Sequence, residues 1–311
     1  LVDVNAGYLT KAPSIRESFT NSRQNNDVVN ELDVATVQNL SFSYRYRSPM
    51  IKARLTGFYV GFENQNDIGF YFTQDISGLG IDGDAFVQEV VTGINSRNVG
   101  VELGIEAQFT PTFMVKLAGS FGQYIYTNHP NLYLTSDDFE GPLVFGDGTT
   151  RLKNYHVAGG PERAYQIGFE YRDPSYWWLG VTGNYFSHAF IDVNNLARSA
   201  NFSTDFDGQP FNDYDEALGR ELLQQEQIEP YVLVNLVGGK SWRIGRYYVG
   251  FFASVNNLLN QEYRTGGFEQ GRNTNYRTIK EDRSREYGPL FGNRYFFGSG
   301  TTYYVNAYVR F

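Results

Sequence analysis

The sequence predicts an all-β chain of about ten strands that forms a transmembrane antiparallel β-barrel. Three features of its 311 residues support this prediction. Apolar and polar residues alternate with a period of two, as expected for strands, whose successive side chains point to opposite faces. The predicted connections alternate between short and long. The composition is unusually aromatic, with 25 Phe, 24 Tyr and 3 Trp.

The alternation is clearest at residues 99–109, where Val99, Leu103 and Phe109 are among the apolar positions and Glu102 and Glu106 among the polar ones. About ten residues are enough for one tilted strand to cross a bilayer. The same pattern recurs in nine further segments, at residues 2–10, 39–47, 51–56, 113–122, 164–171, 177–185, 232–236, 247–256 and 302–311.

The connections between these strands predict the class of barrel. Four are short, at residues 48–50, 110–112, 172–175 and 243–246, and five are long, at residues 11–36, 63–97, 127–162, 187–229 and 257–300. Outer-membrane barrels sort their connections in this way, with short periplasmic turns, long extracellular loops and an apolar face toward lipid. Closure of the barrel satisfies every backbone hydrogen bond in the membrane.

Composition and charge exclude other classes. No apolar run approaches the roughly 18 residues of a transmembrane helix. The absence of cysteine excludes disulfides and thiolate metal sites. The formal net charge of -8 argues against a nucleic-acid partner. The acidic residues concentrate in the long loops, most of all in residues 187–229, where residues 214–227 also predict a short helix.

Three stretches resemble the carboxy-terminal barrel of TonB-dependent outer-membrane transporters. They are SVNNLLNQEY at residues 254–263, NVGVELG at residues 98–104, and the last strand, whose terminal Phe311 resembles the signal read by the barrel-assembly machinery. The stretch at residues 266–273 is similar to transporters of Bacteroidota. The family barrel has 22 strands around an amino-terminal plug. The resemblance therefore implies that residues 1–311 are the last ten strands, with the plug and the early strands absent from this chain.

The chain start supports the same expectation, because its first residues lack the basic and apolar regions of a signal peptide. We therefore expect a mature product or a fragment of a longer protein. The alternative is a free-standing ten-stranded barrel that acts as a protease or a passive porin. A closed ten-stranded barrel requires the first strand to pair with the last, and the protease further requires a histidine and an aspartate to converge at its mouth.

The resemblance implies active nutrient uptake and no enzymatic activity or cofactor. Substrate would bind to extracellular loops and plug. The implied partners are the TonB complex through the absent plug, the remainder of the barrel, the lipid membrane and an extracellular lipoprotein lid. The implied location is the outer membrane of a Gram-negative cell, with the long loops extracellular and the carboxy-terminus periplasmic.

The side-chain types of the last long loop and the apolar–polar alternation of the strands predict the candidate site residues. In the last long loop, arginine forks lie beside aromatic rings, a combination that suits an anionic or planar ligand. The substrate-contact candidates are Arg264, Phe268, Arg272, Tyr276 and Arg277. The polar positions of the strands predict lumen-facing groups at Arg45, Lys52, Arg54, Glu102, Glu106, Lys116 and Glu170. The spacing of His129, His156 and His188 matches no zinc motif, and we predict no metal site.

Overall fold

A computed structural model describes residues 1–74, 84–137, 139–205, 207–272 and 274–311. Twelve strands of the described residues form one antiparallel sheet, and ten of them, the long ones, pair with their neighbours in chain order. We number all strands along the chain, including the short ones outside this path. The ten are β1 (Val2–Lys11), β2 (Ala35–Arg47), β3 (Ile51–Gln74), β4 (Asp84–Gln108), β5 (Phe113–Tyr126), β8 (Arg163–Arg172), β9 (Trp177–Ser187), β12 (Tyr231–Ile244), β13 (Tyr247–Asn256) and β16 (Thr302–Arg310).

The predicted order of strands and the four short turns are confirmed. The tightest turn joins Ile244 to Tyr247, which pair directly across the β12–β13 hairpin. Only Gly245 and Arg246 remain to reverse the chain, and Gly245 has φ 62°, a backbone conformation that glycine adopts without steric cost.

The sheet register separates a polar face from an apolar face. Lys52 pairs with Glu106, and Glu106 pairs with Lys116, so these three side chains share one face. Val101 likewise pairs with Gly57 and Phe121, and each of these lies an odd number of positions from those three residues, so they share the opposite face. That second face exposes large apolar side chains along its length, among them Phe42, Leu55, Leu103, Ile167, Leu179 and Phe251. A face of this kind fits contact with lipid.

The prediction of a long loop at residues 63–97 is wrong in part. Strand β3 continues to Gln74, β4 begins at Asp84, and Gln74 pairs with Asp84. Register shifts between Phe62 and Asp67 interrupt the alternation, and Asn64 takes a φ of 56° there. Such irregularities conceal the two-residue period from the sequence. Residues 75–83 of the predicted loop lie outside the described residues.

The other long connections form a layer at one end of the sheet. They contain β6 (Asn131–Thr135), β7 (Leu143–Thr149), β10 (Ala189–Phe190), β11 (Gln227–Ile228), β14 (Arg264–Phe268), β15 (Arg294–Phe297), α1 (Ile15–Ser18), α2 (Glu216–Leu222), α3 (Tyr276–Arg283) and two 3-10 turns, Leu196–Arg198 and Ala200–Ser203. Helix α2 confirms the short helix predicted at residues 214–227, and Asp215 caps it by accepting from the N–H groups of Ala217 and Leu218. No helix in the described ranges is long and apolar enough to span a membrane.

The buried core of the chain lies in this loop layer and in the extension of β3 and β4. One cluster centres on Val87, Leu134 and Phe145, and another on Phe202, Leu222 and Tyr276. The rest of the sheet, away from this layer, has no comparable core among the described residues, because its large apolar side chains are exposed on one face. The loops therefore pack as a folded layer on top of the sheet and hold their own side chains in fixed positions.

The two outer strands of the sheet are open. Strand β1 pairs with β2 on one side, β16 pairs with β13 on one side, and the order of the sheet ends at each of them. A row of unpaired backbone groups cannot be exposed to lipid, because nothing there replaces the missing hydrogen bonds.

Candidate functional site

A cavity of about 650 Å³ lies in the loop layer between residues 187–229 and 257–300. Its volume falls within the usual range of small-molecule sites. Its lining comes from five elements: β10, β11, α2, α3 and β15, together with the segments that join them. The two most charged loops of the sequence thus meet at one site.

A buried ion pair joins the two loops at this cavity. The guanidinium of Arg198 donates to both carboxylate oxygens of Glu269, with one nitrogen–oxygen distance of 2.8 Å. The Arg198 side chain is 2% exposed and also donates to the carbonyl of Leu223 at 2.9 Å. Sequence reasoning missed this pair, because its members are 71 positions apart and neither lies in a recognisable motif.

A second set of contacts connects the cavity to the polar face of the sheet. The ring of Phe190 stacks on His156 with centroids 3.7 Å apart, and Nδ1 of His156 lies 2.8 Å from the carboxylate of Glu162. Glu162 also accepts the backbone N–H of Tyr124 in β5. Gln225 bonds the backbone N–H and carbonyl of His156 through its amide. These bonds fix the cavity wall to β5.

The five predicted substrate-contact residues fall into different environments. Arg264 stacks on Tyr295 at 3.8 Å and lies 3.6 Å from Glu226, which lines the cavity. Arg272 lies over Phe291, another lining residue, at 4.7 Å. Both arginines are therefore neighbours of the cavity wall.

The other three candidates lie elsewhere in the layer. Phe268 is exposed in β14. Arg277 donates to Asp213 at 2.7 Å and to the side chain of Asn212, so the acidic loop already pairs with it. Tyr276 is fully buried in the core cluster with Phe202 and Leu222. The structure therefore places Tyr276 inside the packed layer, where its ring is inaccessible to a ligand.

The seven predicted lumen residues share the polar face of the sheet. Lys52 pairs with Glu106, Lys116 pairs with Glu170, each at 2.7 Å, and Arg45 pairs with Asp3 at 3.0 Å. Arg54 donates to Thr56 and Ser43. Glu102 lies on the same face, in register with Thr56 and Ser120. The predicted assembly signal, Phe311, is exposed and packs edge-on against Tyr247.

The histidines show no cluster of metal ligands. Within the described ranges, no group of three or more His, Asp or Glu side chains is arranged to hold a metal ion. The ring nitrogens of the histidines contact Glu162, Ser187 and the backbone N–H of Lys153, and no aspartate is among these partners. The convergence of histidine and aspartate that a barrel protease requires is therefore not seen in the described residues.

Glu89 is buried where the extension of β3 and β4 meets the loop layer, and the exposed carboxyl groups of Asp67 and Asp192 lie close enough to act on its charge. Burial raises the pKa of Glu89 to about 7, and the charges of Asp67 and Asp192 raise it further, while a hydrogen bond from Asn195 at 2.6 Å opposes the shift. Desolvation by the surrounding protein raises the pKa of Asp192 to about 6 and also raises the pKa of Asp67.

We expect the packing around Glu89 to loosen as the pH rises. A carboxyl whose pKa is higher in the folded state binds more protons when folded, so stability falls between its unfolded pKa, about 4.5, and about 7. Hydrogen exchange of residues 86–96 and 190–196 should be faster at about pH 8 than at about pH 5, after correction for intrinsic rates. Glu89→Gln should reduce this difference. Equal protection at both pH values in the unsubstituted chain would contradict the expectation.

Comparison with known proteins relates this fold to outer-membrane receptors. No protein-family model matches the sequence, and no curated protein matches it either. Among solved structures, the chain is similar to the copper transporter OprC, with a TM-score of 0.53, 15% identity and coverage of 98% of this chain and 36% of OprC. It is also similar to a variant of the ferric enterobactin receptor PfeA from Pseudomonas aeruginosa, with a TM-score of 0.52, 13% identity and coverage of 99% and 37%.

A third structure, the FrpB iron transporter from Neisseria meningitidis, has a TM-score of 0.50 and 14% identity, with coverage of 98% of this chain and 37% of FrpB. The chain thus spans about a third of the length of each of these proteins. All of them are TonB-dependent outer-membrane receptors. The chain has the fold of part of the β-barrel of these receptors, in agreement with the predicted fold class.

Proposed function

We propose that residues 1–311 are the carboxy-terminal part of the barrel of a TonB-dependent outer-membrane transporter that takes up a nutrient. The observation that supports this proposal above all is that nearly the whole chain aligns with about a third of each receptor chain. In addition, both outer strands of the sheet are open among the described residues. Further strands of the same receptor would pair with β1 and β16 and close the barrel.

In this proposal the ten strands provide part of the barrel wall. The exposed apolar face contacts lipid, and the polar face with its ion pairs lines the lumen, where the plug would sit. The loop layer is extracellular and contributes to the substrate site, and Phe311 lies at the periplasmic end. A lipoprotein lid above the loops and an origin in Bacteroidota belong to the same proposal.

The dependence of nutrient uptake on the proton-motive force tests this proposal. Cells that produce the whole receptor and cells that lack it are compared for depletion of nutrients from the medium, with copper salts and ferric chelates included. The proposal expects receptor-dependent depletion that stops when a protonophore collapses the proton-motive force. Depletion that continues with the protonophore would indicate a passive pore and contradict the proposal.

A free-standing ten-stranded barrel is the competing assignment. It requires β1 to pair with β16, and among the residues that the structure describes each of these strands has a single neighbour. We therefore favour the larger barrel over a ten-stranded protease or porin.

A further inference from the structure

We propose that the cavity between residues 187–229 and 257–300 binds a neutral, polyhydroxylated ligand such as a short oligosaccharide. This inference names a substrate class for the proposed transporter and so rests on the proposed function. It depends on the lining of the cavity, on which of its polar groups are already bonded, and on the balance of its charges.

Amide side chains are as numerous in the lining as charged ones. Six of the lining residues carry an amide, namely Asn194, Gln224, Gln225, Gln227, Gln270 and Asn293. An amide offers both donors and an acceptor, and a hydroxyl group likewise donates and accepts. A surface rich in amides therefore matches a ligand that carries many hydroxyls.

Part of this set is already bonded within the protein and makes the cavity rigid. Gln225 bonds to His156 and to the carbonyl of Ile191. The amide of Asn293 donates to Glu226 at 2.6 Å, and the amide of Gln270 donates to the carbonyl of Gly292 at 2.7 Å. A site preformed in this way loses little conformational entropy when a ligand binds.

Other polar groups of the lining remain open to a ligand. The side chains of Gln224 and Gln227 are exposed and have no hydrogen-bond partner among the described residues. The amide oxygens of Gln270 and Asn293 accept no hydrogen bond from the described protein. These groups can donate to and accept from hydroxyls without breaking a bond of the folded loops.

Aromatic rings supply the apolar part of the lining. Phe190, Phe291 and Tyr295 all contribute, and their partners orient them: His156 stacks on Phe190, Arg272 lies over Phe291, and Glu226 accepts from Tyr295. A flat ring beside polar groups suits a sugar ring, which has apolar C–H faces and hydroxyls at its edge.

The charge of the lining argues against an anionic ligand. Its four acidic residues, Glu221, Glu226, Glu269 and Asp282, outnumber its two arginines, Arg198 and Arg283. Arg198 is committed to Glu269, and Arg283 donates to the carbonyl of Leu222. The lining is therefore net acidic and repels a multiply charged anion.

The test measures binding to the whole purified receptor by calorimetry. The probes are the neutral pentasaccharides of maltose, xylose and mannose type, an acidic oligogalacturonide, a ferric catecholate complex and oligolysine. We expect at least one neutral saccharide to bind. Gln224→Ala and Gln227→Ala should each weaken that binding by about three- to tenfold, as for the loss of one hydrogen bond.

Gln209→Ala provides the matched control, because Gln209 is an exposed glutamine of the same loop that does not line the cavity. It should leave saccharide affinity unchanged. Binding of only the catecholate, the oligogalacturonide or oligolysine would overturn the inference, as would binding of no neutral saccharide, or equal effects of all three substitutions. None of these results depends on the proton-motive force, so failure here is distinct from failure of the uptake test.

Discussion

Glu269→Ala should destabilise the loop layer by about 3–5 kcal/mol, because it leaves the guanidinium of Arg198 buried without its counter-ion. The Arg198 side chain is 2% exposed, and its remaining acceptors are the backbone carbonyls of Asn194 and Leu223. Hydrogen exchange of residues 194–202 and 264–270 in the whole receptor should report a lower free energy of local opening. The ten long strands of the sheet should keep their protection against exchange.

Arg277→Ala is the matched control for this prediction. It also breaks an arginine–carboxylate pair between the same two loops, but Arg277 and Asp213 are each 47% exposed. Exposed pairs contribute about 0–1 kcal/mol, so little loosening should follow. If the two substitutions loosen the layer equally, or if Glu269→Ala has no effect, the buried pair does not hold the loops together.

Val101→Arg should destabilise the assembled barrel by about 2–4 kcal/mol, the cost of an arginine on the lipid face near the middle of the membrane. Val101 lies on the apolar face, between Gly57 and Phe121 of the neighbouring strands. The free energy of unfolding of the whole receptor in lipid vesicles, measured by denaturant titration, gives the readout.

Ser120→Arg tests the opposite face at nearly the same height. Ser120 is in register with Glu102, so an arginine there would face the polar side and an acidic neighbour. It should change the unfolding free energy by much less than Val101→Arg. The reverse order of the two effects would show that the faces are assigned the wrong way round.

The order of the ten strands could be predicted from the sequence because the information is local. The alternation at residues 99–109 places Val101 and Glu102 on opposite faces whatever the rest of the chain does, and a tight turn such as 243–246 leaves the next strand no other neighbour. The helix near residue 216 was predictable for the same reason, since its cap, Asp215, is adjacent to it.

The site could not be predicted in the same way, because its contacts join distant segments. Tyr276 and Arg277 are adjacent in the sequence and were predicted to share a role. In the structure, Tyr276 enters a core built from residues 197–222, while Arg277 pairs with Asp213. No local pattern distinguishes the two, because the partners that decide their environments are more than 50 positions away.

Cross-linking between β1 and β16 tests most directly whether these ten strands belong to a larger barrel. Residues 1–311 contain no cysteine, so an engineered pair is the only pair in this part of the receptor, and the unsubstituted receptor gives the background signal. In the whole receptor in its membrane, each of Val2, Val4 and Ala6 is replaced by cysteine in combination with each of Val305, Ala307 and Val309. Val4→Cys with Phe42→Cys is the positive control, since these residues pair directly across β1 and β2.

We expect oxidation to form the control disulfide and no disulfide between β1 and β16, because other strands of the receptor separate them around the barrel. A disulfide in any of the β1–β16 combinations would show that the chain closes as a ten-stranded barrel and would rule out the larger one.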